Sequence, residues 1–105
     1  MADLTKEAIE ALKAVHGDLR KVNTKRGTFI VRGATTGEWR RFRSESAQDR
    51  TKANATETLV RACVVHPDAA GFSAAVDKAP GLIETLGEHV VQLSGAETDA
   101  QGEAL

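Results

Sequence analysis

Apolar positions in the first turns recur at helical spacing. Leu4, Ala8, Ala11, Leu12 and Val15 fall on one stripe, with Lys6, Glu7, Glu10 and Lys13 between them. Asp3 is placed to cap the start and Gly17 to end it. This predicts an amphipathic helix over residues 4 to 15. The period then changes. LRKVN and TFIVR, flanking the turn-forming TKRG, are β-branched or alternating and predict a hairpin of strands 19–24 and 27–32. A lone hairpin is marginal in water, so it must pack on the helices or on a second copy.

Helical spacing returns at Thr35. Thr35 with Glu38 matches a capping box, and Trp39 and Phe42 share a face in the helix predicted over 36 to 48. A polar stretch follows, and Asn54 with Glu57 can cap a helix carrying Leu59, Val60, Cys63 and Val64. Pro67 disfavours helix at His66 and ends this one near Val65. Asp68 can cap the next, whose Phe72, Ala75, Val76 and Ala79 align. After Pro80-Gly81, Leu82, Ile83, Leu86, Val90 and Leu93 form a last amphipathic stripe that stops at Ser94-Gly95. The expected fold is mainly α with an N-terminal β-hairpin, an α+β single domain of about five helices over residues 1–95. Residues 96–105 offer almost nothing to bury and are expected to be disordered.

Composition narrows the class. The 105 residues suffice for one small core. That core is thin, because Phe29, Trp39, Phe42 and Phe72 are the only aromatics. One cysteine cannot form an internal disulfide, no stretch approaches the roughly 20 apolar residues of a membrane span, and the N-terminus lacks a secretory pattern. An intracellular, soluble, unprocessed protein is expected.

The densest chemistry is LVRACVVHPD, which holds Cys63, His66 and Asp68. A metal site needs three or four ligands, and His16 and His89 add no suitable spacing. A Cys–His nucleophile needs an orienting group and an oxyanion hole, and no Gly-rich turn precedes Cys63. Cys63 therefore reads as a small buried hydrophobe, and His66 as a helix C-terminal residue. No catalytic residue, metal or cofactor is expected.

Charge is segregated although the chain's net charge is only -1. Residues 20–61 carry eleven Lys/Arg against four Asp/Glu, a net +7, and residues 62–105 carry one Lys against seven acids, a net -6. Arg40, Arg41 and Arg43 beside Trp39 and Phe42 suit nucleic-acid contact, or else are the solvated side of a helix whose aromatics are core. A basic surface meeting an acidic one on the next copy would give head-to-tail association.

The order of motifs resembles one family. A strand ending Ile-Val-Arg leads to a Thr-x-x-Glu helix start. An apolar helix follows with Cys-Val-Val-His-Pro-Asp, then a Phe-containing helix, a Pro-Gly break and a helix closing on Leu-Ser-Gly. Over Phe29 to Gly95 this resembles the tail assembly chaperones of long-tailed bacteriophages and phage-derived particles. The resemblance implies a non-enzymatic, mainly helical protein of the host cytoplasm, absent from the mature virion. It implies that the protein self-associates, binds and solubilises the tape-measure protein, and helps recruit tail-tube subunits. It also implies that a longer form made by ribosomal frameshifting can accompany the short one. The candidate partner-binding residues are Leu4, Leu12 and Val15 on the first helix, Arg40 and Arg41, and Leu82, Leu86, Val90 and Leu93 on the last. No membrane partner is expected. The alternatives are a nucleic-acid-binding or adaptor module using residues 20–61, and a structural tail or connector subunit.

Overall fold

A computed structural model describes residues 5–95 and 102–105. The elements run α1 (Lys6–His16), β1 (Leu19–Thr24), β2 (Gly27–Arg32), α2 (Thr36–Ser46), α3 (Ala55–Cys63), β3 (Val64–His66), α4 (Ala69–Lys78) and α5 (Leu82–Leu93). The fold is α+β, with five helices and one antiparallel sheet of order β1-β2-β3 among the described residues.

Both predicted strands of the hairpin have the expected bounds, in a register that pairs Thr24 with Gly27 and Val22 with Phe29. Period-2 alternation sends Val22, Phe29 and Val31 to the inner face, where all three are buried. The capping box at α2 is complete. Thr35 Oγ1 accepts from the Glu38 N–H at 3.2 Å, and Glu38 Oε1 accepts from the Thr35 N–H at 2.9 Å. Asp68 caps α4 by accepting from the Gly71 N–H at 2.8 Å.

Four expectations are corrected. Thr5, not Asp3, caps α1, accepting from the Ala8 N–H at 3.0 Å; Asp3 and Leu4 lie outside the described residues. The helix α2 ends at Ser46, before the expected 48. Asn54 precedes α3 but makes no side-chain cap, because a short 3-10 turn over Lys52–Asn54 runs straight into the helix. The largest change is at VVH. The helix α3 stops at Cys63, and Val64–His66 pair with β2 as a third strand. Two β-branched residues before a proline favour extended backbone, and β2 supplies an open edge. His66 is thus a strand residue, not a helix terminus. The expected disordered tail begins at residues outside the described set; residues 102–105 are exposed.

The core lies between the inner sheet face and α3, α4 and α5. Leu59, Val60 and Cys63 come from α3, Phe72 and Val76 from α4, and Leu82, Ile83, Leu86 and Val90 from α5. Trp39 and Phe42 of α2 close one side, half-buried, with ring centroids 5.5 Å apart. Two glycines allow close approach. A Cβ on Gly87 would meet Thr56 Cγ2 of α3 at 2.9 Å, and one on Gly33 would meet the Leu93 carbonyl oxygen at 2.8 Å. Beside Gly33, the Ala34 N–H donates to Ser94 Oγ at 2.9 Å, and the Ser94 hydroxyl donates to the Val90 carbonyl at 2.7 Å. The Leu-Ser-Gly ending of α5 thereby fastens the helix to the exit of β2.

Gly33→Ala should destabilise the fold by about 1–3 kcal/mol, because its methyl meets backbone that cannot swing aside. Gly37→Ala, in α2 with open space around it, should stabilise by about 0.4–1 kcal/mol. Urea midpoints of the two variants should move in opposite directions.

Candidate functional site

The structure separates Cys63, His66 and Asp68. Cys63 is fully buried in the core, Asp68 is engaged as the α4 cap, and His66 pairs with Ile30 of β2. No three His, Cys, Asp or Glu are grouped as metal ligands among the described residues. What approaches the Cys63 sulfur is Arg32, whose Nη1 lies 3.9 Å from Sγ.

Arg32 is the residue that sequence reasoning missed. Its guanidinium holds the Glu38 carboxylate in a bidentate pair, at 2.8 and 2.9 Å. It also donates to the carbonyls of Gly33 at 3.0 Å and Ala62 at 2.8 Å. One side chain thus joins the end of β2, the first turn of α2 and the last turn of α3. Planar donors in a fixed fork suit this task better than a lysine would. The signal was present in the sequence as an arginine ending a strand just before a Thr-x-x-Glu box. The Arg32 pair holds the Glu38 carboxyl down at about 2, helped by the Thr35 N–H and opposed by partial burial. Hydrogen bonding to Glu38 raises the Arg32 guanidinium further. Burial pushes the Cys63 thiol up to about 11, outweighing the opposing pull of Arg32. This thiol fills space in the core.

The candidate docking residues divide sharply. Leu82, Leu86 and Val90 are consumed by the core and Leu93 packs against it half-buried, so α5 is not a spare helix. Helix α1 is different. None of its 11 residues is buried among the described residues. Val15 is 77% exposed. Leu12 is half-buried, as are Ala8 and Ile9 on adjoining positions. Gly17, at φ 79°, ends the helix with its N–H donating to the Lys13 carbonyl at 2.8 Å. The stripe is therefore partly covered at Ala8, Ile9 and Leu12 and open at Val15. Leu4 lies outside the described residues.

Arg40 and Arg41 are exposed on α2. Arg41 pairs with Glu45 at 3.3 Å, while Arg40 and Arg43 form no ion pair among the described residues. Trp39 and Phe42 face the core, so the arginines are the solvated side of that helix.

Two measurements test the cluster. Glu38 has a folded-state value below its ordinary 4.5. Its contribution to stability is therefore complete above that ordinary value and is lost as pH falls from there toward about 2. Glu38→Gln should flatten that limb of the stability–pH profile. At neutral pH, Cys63 should react with a thiol reagent only as fast as the protein opens, and Cys63→Ala should cost about 1–3 kcal/mol.

No curated protein matches the sequence. A solved structure described as an uncharacterised protein from Bacillus stearothermophilus is similar, with a TM-score of 0.72 over 90% of this chain and 99% of that one. Identity is 18%, so the likeness shows a shared fold. The family described as a domain of unknown function, DUF6848, matches residues 6–103, and the chain belongs to it.

Proposed function

We propose that the protein is a non-enzymatic phage tail assembly chaperone, which binds and solubilises the tape-measure protein in the host cytoplasm and helps recruit tail-tube subunits. The observation that carries this reading is α1, an amphipathic helix with Val15 exposed and no buried side chain. The motif order from Phe29 to Gly95 supports the same reading.

A helix of this length is marginal in water without a covered face. Its stripe of Ala8, Leu12 and Val15 gains stability when laid against another apolar helix. A tape-measure chain supplies such stripes in long succession, and they aggregate unless covered. Each contact with one short helix is weak. Many copies along one rod cover it, and contacts between copies raise the occupancy of each. Docking is thereby assigned to Leu12 and Val15, with Leu4 as an extension, and Leu82, Leu86 and Val90 are left to the fold.

Arg40 and Arg43, which form no ion pair among the described residues, favour a second reading, a nucleic-acid-binding or adaptor role. Against it, the neighbouring Trp39 and Phe42 are turned to the core and offer no stacking platform.

Co-expression with the tape-measure protein of the same phage or prophage should bring that protein into the soluble fraction as a complex. Val15→Asp should change stability by no more than about 0.5 kcal/mol, since its site is exposed. Combined with Leu12→Asp, it should leave circular dichroism folded and return the tape-measure protein to the pellet. A wild-type protein that leaves its partner insoluble would refute the chaperone reading and favour a structural tail or connector subunit.

A further inference from the structure

The outer edge of the sheet carries an inference independent of α1. With strand order β1-β2-β3, β1 has a neighbour on one side only among the described residues. The pair Thr24 and Gly27 closes a two-residue loop. A two-residue loop closes on a hydrogen-bonded pair, and pairs alternate from there. Val22 and Arg20 therefore spend their backbone groups on β2. Lys21 and Asn23 turn theirs outward, and both residues are exposed. The open edge is six residues long, roughly 20 Å at about 3.4 Å per residue.

Charge states what kind of strand fits. The hairpin Leu19–Arg32 contains five cationic residues and not one acid. Arg32 is satisfied by Glu38, and Arg20 turns inward to His89 Nδ1 at 3.1 Å and Gln92 Oε1 at 2.6 Å. Lys21, Lys25 and Arg26 are exposed and form no ion pair among the described residues. A row of free backbone donors and acceptors beside unpaired cations matches an extended polypeptide with carboxylates on alternate residues. Nucleic acid would satisfy the cations but not the backbone row. The hairpin's one aromatic, Phe29, is buried and cannot stack on a base.

We infer that the β1 edge captures an acidic extended segment of a partner protein by strand addition. The segment lies beside Lys21 and Asn23, with its carboxylates toward Lys21, Lys25 and Arg26. Main-chain bonds provide the affinity, and charge selects the partner and its register.

The probe is a short fluorescent peptide of alternating Glu and Thr, followed by anisotropy on the full chain. Three controls accompany it: the peptide with Lys for Glu, the peptide N-methylated at alternate residues, and a labelled oligothymidine. The acidic peptide alone should bind. Lys21→Glu with Arg26→Glu should weaken it about tenfold, the scale of a few exposed charge contacts. Asn23→Pro keeps every charge and removes one outward N–H, a change an edge strand tolerates, and it should also weaken binding. The methylated peptide makes the same distinction on the unaltered protein, whether or not that variant folds. Equal binding of the methylated and plain peptides would overturn strand addition. Stronger binding of oligothymidine would overturn the polypeptide partner. No binding at all would leave the edge cations as a guard against aggregation, and the inference would be wrong.

Discussion

The fold depends on how closely α5 approaches its neighbours. A three-stranded sheet with few aromatics cannot close a core alone. Leu82, Ile83, Leu86 and Val90 supply the missing aliphatic surface, and all are buried. Gly87 lets α5 lie against Thr56 of α3, and Gly33 lets β2 pass the Leu93 carbonyl. Ser94 then satisfies the Ala34 N–H at that crossing. Interiors are packed at near-crystalline density, so these contacts fix one arrangement and exclude neighbouring ones. The remaining elements have to fit around this crossing.

Arg32 acts at the same corner, by geometry more than by net energy. A partly buried ion pair loses hydration that its Coulomb attraction only partly restores. The five N–H donors of a guanidinium nevertheless reach Glu38, Gly33 and Ala62 together. That sets the angle at which α2 leaves the sheet and where α3 ends. Cys63 beneath it fills space, and its raised thiol value follows from the burial that the packing requires.

Local chemistry made much of the fold legible, although the caps of α1 and α3 were misplaced, and distant contacts hid the rest. The hairpin strands, the Thr35 box, the Asp68 cap and the α5 stop at Ser94 are written in residues a few positions apart. The third strand was not legible, because Val64–His66 continue an apolar helix and become a strand only by pairing with β2, more than thirty residues earlier. The two terminal helices show the same limit more clearly. Both have a continuous apolar stripe, and periodicity alone cannot say which stripe is covered. Tertiary context assigns α5 to the core and leaves α1 outside it. Arg32 was overlooked because its three partners belong to different elements.

That division of labour bears on how such a protein would act. Residues committed to the core cannot also serve a partner without unfolding, so docking has to use what the core leaves over. On the readings proposed above, the α1 stripe and the β1 edge are such surfaces, and they reward opposite conformations. The α1 stripe favours a helix laid across it, whereas the β1 edge favours an extended chain. Only Gly17 and Asp18 separate them in sequence. A partner segment that passes from helix to acidic extended chain would meet both in succession. The second contact would then form at the high effective concentration set by the first. A helix-only partner would gain α1 alone and remain easily displaced. On the proposed chaperone reading, affinity for a long client would come from many modest contacts, each easily reversed.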